Sequence, residues 1–119
     1  MNKLLVIILI LFAFTSCDNK KKNEKYYQTK FCKQMKGITE YTLPNKTRVD
    51  CLTKEYAIEV DWAKKWAEGV GQSLYYSHMT NKKAAIALIT SSKDKRFIKR
   101  VEKIANKFNI RIFIIKKEE

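Results

Sequence analysis

The chain has 119 residues, room for one small domain and not for a second. Its 25 Lys and Arg against 12 Asp and Glu leave a net charge of +13, which favours an anionic partner, nucleic acid or lipid, unless the lysines are only a solvated surface. One histidine and three cysteines without a CxxC exclude the usual zinc-site patterns.

In chain order, Met1-Asn2-Lys3 is a short positive start, 4–14 is almost wholly apolar, and the run ends at Phe14-Thr15-Ser16-Cys17. A run this short is too short to span a bilayer and reads as a secretory signal. Its ending resembles a bacterial lipobox, with Phe14 where Leu is usual. The resemblance implies a lipoprotein signal peptide over 1–16, a lipidated Cys17 and attachment to the cell envelope, facing the periplasm or exterior. The other reading is an N-terminal anchor with an incidental cysteine. Residues 17–25 are polar and charged and read as a tether, leaving 26–119 as one domain. Export permits a disulfide between Cys32 and Cys51; two small buried thiols are the alternative.

Tyr27, Phe31 and Met35 share one face of a short helix over 26–36, with Gly37 as its stop. Stretches 38–43, 47–52 and 55–61 read as strands joined by the turns at Pro44-Asn45-Lys46 and Thr53-Lys54, an antiparallel meander. A helix follows over 62–78, with Ala63, Trp66, Ala67, Val70 and Leu74 on its apolar side and His78 as a capping or surface residue. The unbroken apolar run 84–90 predicts a strand buried on both faces. Ser91 or Ser92 caps a further helix with Phe97, Val101, Ile104 and Phe108 as its stripe, Asn109 ends it, and 110–115 is a last strand. The expected fold is therefore α/β with a mixed sheet: helix, three-strand meander, helix, strand, helix, strand, with parallel pairing in the second half.

Acidic residues mark the middle of this order. Glu59 and Asp61 share one strand face, opposite Ile58 and Val60, and with the right register Asp50 faces Glu59. Two such carboxylates meet the demand of a hard divalent ion for oxygen ligands. On the next helix Lys65, Gln72 and Tyr76 form one stripe with Gly69, distinct from the apolar side. Each residue taken singly also suits a solvated strand or helix surface, and Asp61 can serve as a helix cap.

Together, Asp50, Glu59, Gln72 and Tyr76 on these elements resemble the core of the PD-(D/E)XK nuclease superfamily, in its RecB-like and Holliday-junction-resolvase-like branches. The resemblance covers 38 to about 90 and implies a restriction-endonuclease-like fold. It implies a Mg2+- or Mn2+-dependent hydrolase acting on DNA, with Asp50, Glu59 and the Val60 carbonyl as metal ligands. Gln72 and Tyr76 take the place of a QxxxY element that positions substrate, and Glu40 that of an early glutamate usually found on the first helix. One position departs from the pattern: Asp61 stands where the family has its catalytic lysine. Either Lys65, with Lys64 as second choice, supplies that charge from the helix, or Asp61 is an extra ligand, or the site is inactive. The alternatives to a nuclease are a degenerate fold of this kind that binds DNA or a protein without cleavage, and a structural lipoprotein.

Overall fold

The computed structural model describes residues 21–118. Its elements are α1 (Glu24–Gln34), β1 (Ile38–Thr42), β2 (Arg48–Leu52), β3 (Tyr56–Trp62), α2 (Trp66–Thr80), β4 (Lys83–Thr90), α3 (Lys95–Phe108) and β5 (Arg111–Lys116). The five strands form one sheet in the order β1-β2-β3-β4-β5. β1, β2 and β3 pair antiparallel, whereas β3, β4 and β5 pair parallel. The mixed sheet and the element order agree with the expectation from sequence.

Both faces of the sheet are covered. α1 lays Tyr27 and Cys32 on Ile58, Val60, Ala85, Ala87 and Ile89. On the other face Val70 of α2 and Val101 and Ala105 of α3 meet Ala84, Ile86 and Leu88. Alternate β4 residues thus enter different cores, and for that reason its sequence is apolar without interruption. No helix among the described residues is long and apolar enough to cross a membrane.

Several details depart from the periodicity. α1 starts inside the stretch read as a tether, because the Asn23 side chain accepts the Tyr26 N–H and caps the first turn. α2 follows a 3-10 turn at Ala63–Lys65, and β3 runs on to Trp62. Ala67 is exposed, whereas Gly69, Ser73 and Tyr76 are buried. α2 therefore lies on the sheet with Gly69, Val70, Ser73 and Tyr76, so the stripe of Lys65, Gly69, Gln72 and Tyr76 is split between the packed side and water. Gly69 permits this approach: a Cβ there would stand 2.6 Å from Ile86 Cδ1 and 3.6 Å from Asp61 Cβ.

Cys32 and Cys51 form a disulfide that ties α1 to β2, with their Cα atoms 5.5 Å apart. Gly37 serves both the helix end and this bond: its N–H donates to the Cys32 carbonyl at 3.0 Å, and its missing side chain leaves room for the sulfurs. The left-handed residue after α1 is Lys36 (φ 56°), while a Cβ on Gly37 would lie 2.6 Å and 2.8 Å from the two sulfurs. The expected caps hold elsewhere: Ser91 and Asp94 form a reciprocal capping box before α3, and Asn109 takes the left-handed position after it.

Candidate carboxylate site at a strand fork

β2 and β3 pair at Cys51↔Ile58 and Leu52↔Ala57 and then part. Asp50 occupies the opening. Its Oδ2 accepts the Val60 N–H at 2.9 Å, replacing a ladder bond with a side-chain bond. The N–H and C=O of a strand residue project to the same side, so the Val60 carbonyl also points into the fork. Across β2, Glu40 adopts φ 52° inside β1, between the register pairs Thr39↔Cys51 and Tyr41↔Val49. A left-handed glutamate is disfavoured by roughly 1–2 kcal/mol, and neighbouring contacts hold it in place. Gln28 Nε2 donates to Glu40 Oε1 and to the Asp50 carbonyl, each at 3.1 Å, and Arg48 pairs with Glu40 at 3.3 Å.

Glu59 and Asp61 follow on β3, only 4% and 5% exposed beneath α2. Glu59 Oε1 is buried with no hydrogen-bond partner. Burial, then the adjacent Asp50 charge, pushes the Glu59 carboxyl up to about 10, so the Asp50–Glu59 pair holds a proton at neutral pH. Asp50 is itself raised by burial, against the opposing bond from Val60. Asp61 is pushed up to about 7 by burial and by Glu24, although its Oδ1 accepts the Trp62 N–H at 3.0 Å. Glu24, in the first turn of α1, is raised by burial and by Asp50. An open cavity of about 570 Å3 lies over this region, lined by Glu24, Gln28, Glu40, Arg48, Asp50 and Tyr76 among others.

The fold thus brings Asp50, Glu59 and the Val60 backbone together, with Glu40 beside them, as the spacing suggested. Tyr76 joins them: it lines the cavity, and burial and then Glu59 raise its hydroxyl. Gln72 does not, being exposed and outside the cavity lining. Lys65 is exposed and acts on Asp61 and Glu24, whose carboxyls it lowers, instead of standing between Asp50 and Glu59. Lys64 lines a different cavity with Trp62 and Lys117. The lipidation position, Cys17, lies outside the described residues.

Sequence reading missed Glu24 and Gln28. Glu24 falls in the charged stretch 17–25 that composition reads as a tether. Once Asn23 is recognised as the cap, Glu24, Gln28 and the buried Cys32 fall at four-residue spacing on one face of α1, which points them at β2.

Among the described residues no group of three or more His, Cys, Asp or Glu side chains is gathered so as to hold a metal ion. The donors at the fork nevertheless fit a divalent cation that keeps most of its waters. Such an ion needs one or two carboxylates, and Glu59 offers a buried, unpartnered oxygen next to Asp50. No family model matches the chain, and neither the curated proteins nor the solved structures give a match.

Proposed function

We propose that the chain is an envelope-tethered, metal-dependent nuclease with a restriction-endonuclease-like core, hydrolysing DNA phosphodiester bonds outside the cytoplasm. The observation that carries this reading is the orphaned Glu59 carboxyl oxygen held against Asp50 at an open strand fork. A buried carboxyl pair with an unmet oxygen is costly without a ligand, and such perturbed groups gather at functional sites. The meander followed by a helix and a parallel strand, with acids on β2 and β3, supports the same reading, as does the Cys32–Cys51 disulfide, which suits an oxidising compartment.

Asp50 and Glu59 would hold Mg2+ or Mn2+ with the Val60 carbonyl. The bound ion would supply an activated water and charge neutralisation at the phosphate. The chain's own groups do the rest. Gln28 and Arg48 fix Glu40 at the rim, and the Asp50–Val60 bond sets the angle of the Asp50 carboxylate. Arg48, Lys46 and Lys25 line the cavity and meet the phosphate backbone, while Tyr76 supplies a hydroxyl at its inner wall. Glu24 on α1 takes the place of the family's first-helix glutamate in this reading, a better candidate than Glu40 because it lies on that helix.

The chain from residue 18 should cleave DNA with Mg2+ or Mn2+, and Glu59→Gln should abolish cleavage while leaving the fold intact. Inactivity of the wild-type chain across metals and DNA forms removes the catalytic reading. The second reading, DNA binding without cleavage, is favoured by one observation: buried Asp61 stands in the lysine position, with exposed Lys65 acting on Asp61 and Glu24. It requires salt-sensitive DNA binding that Asp50→Ala leaves unchanged.

A further inference from the structure

Lys21, the first described residue, is exposed and lies beside one edge of the fold. It lines a shallow cavity of about 250 Å3 with Trp62, Lys64, Ser91 and Lys117, at the end of the sheet where β3, β4 and β5 all finish. Cys17 is four residues upstream, and four extended residues reach about 14 Å at most. An acyl group on Cys17 therefore keeps this edge of the domain close to the bilayer.

The edge has the chemistry for that position. Lys64, Lys93, Lys116 and Lys117 are exposed there, and none makes an ion pair among the described residues. The two nearby acids among the described residues are already engaged. Asp94 accepts the Ser91 N–H at 2.7 Å and hydroxyl at 3.1 Å, and Glu118 is held by Lys22 and Lys30. Beside the lysines Ile114 is 54% exposed, lining an open cavity of about 810 Å3 with Ser92, Lys93, Lys116 and Lys117. Unpaired lysines around an exposed aliphatic side chain are what a membrane interface takes up: ammonium groups at the phosphates, apolar carbon below them.

We infer that the edge formed by Lys64, Lys93, Ile114, Lys116 and Lys117 is a seat for anionic phospholipid headgroups, which orients the folded domain on the bilayer. The inference rests on the envelope tether of the proposed function and is independent of any nuclease activity. Lipidation orders the contact, and the headgroups then hold the domain against the surface instead of letting it swing on its leader.

The test uses the unlipidated chain from residue 18, which contains every described strand and helix and the disulfide. Co-sedimentation is measured with vesicles of phosphatidylcholine alone and of phosphatidylcholine mixed with phosphatidylglycerol. Binding is expected only to the mixed vesicles. Each lysine near an anionic surface contributes about fivefold, so the triple variant K93E/K116E/K117E should bind at least about 100-fold more weakly. A triple of equal charge change at the far end of the sheet, K103E/K107E/R111E, should lose less than about tenfold. Absence of binding to the mixed vesicles overturns the proposal. So do equal losses in the two triples, which would mean undirected charge, and so does a result in which the edge lysines govern binding to duplex DNA but not to vesicles. The mass of natively produced Cys17 reports the tether separately, so failure of the seat and failure of the lipid anchor are distinguishable.

Discussion

Asp50 Oδ2 accepts the Val60 N–H at the point where β2 leaves β3, so one carboxylate both terminates the pairing and opens the site. Asp50→Asn keeps an acceptor for that N–H and removes the charge, whereas Asp50→Ala leaves the N–H without a partner. Denaturant titration should find the alanine variant about 1–2 kcal/mol less stable than the asparagine variant. Both should lose cleavage if Asp50 is a metal ligand. Equal stability of the two variants would mean that the bond does not support the strand fork.

Glu59 gives the chain an inverted pH dependence. A carboxyl near 4.5 in the unfolded chain and about 10 in the fold binds more protons when folded. Stability therefore falls as pH rises through this window, and Asp61, shifted from 3.8 to about 7, adds to the fall at its acidic end. With chelator present, Tm should drop between pH 5 and pH 8. Glu59→Gln, neutral throughout, should flatten the drop and stabilise the fold at pH 8 by roughly 1–3 kcal/mol. Mg2+ or Mn2+ should raise the wild-type Tm at pH 8 and leave the glutamine variant unmoved. A wild-type Tm that rises steadily from pH 5 to pH 8 in chelator would contradict the assigned environment.

Gly37 sits against both sulfurs of the Cys32–Cys51 bond. Gly37→Ala would place a methyl 2.6 Å from one of them, so a loss of about 1–3 kcal/mol is expected by thermal or denaturant unfolding. Reducing the wild-type disulfide, which closes a loop of sequence separation 19, should cost about 3 kcal/mol. In the reduced protein the sulfurs can separate, and the alanine penalty should shrink. An undiminished penalty after reduction would place its origin elsewhere.

Gln28 joins α1 to both Glu40 and the Asp50 carbonyl. Gln28→Ala removes two hydrogen bonds from a nearly buried position and should destabilise by about 1–2 kcal/mol. Glu40→Gly relieves the left-handed backbone and should recover part of that loss in the double variant. Strict additivity of the two changes would show that Gln28 does not hold the Glu40 conformation.

The element order was legible from local patterns. Alternation marked the meander, the unbroken apolar run 84–90 marked a two-sided strand, Ser91 marked the 3-10 turn that leads into α3, and Asn109 marked the end of that helix. The acids Asp50 and Glu59 were legible too, because strand alternation decides which face a residue takes. The stripe on α2 was not. Lys65, Gly69, Gln72 and Tyr76 are aligned by the helix, but only packing decided that Gly69 and Tyr76 enter the sheet side while Lys65 and Gln72 stay in water. The close approach of α2 over Ile86, which Gly69 allows, sets that rotation.

The sequence by itself determined the class of the fold, the mixed sheet and the two carboxylates, since these follow from side-chain periodicity along single elements. Tertiary structure alone decided the rest. It joined Cys32 to Cys51, opened β2 from β3 at Asp50, swung Glu24 and Gln28 of α1 over the fork, and carried Lys65 towards Asp61 and Glu24. Each of these is a meeting of residues from different elements. Their distances depend on how helices seat on the sheet, and no periodicity within one element encodes that.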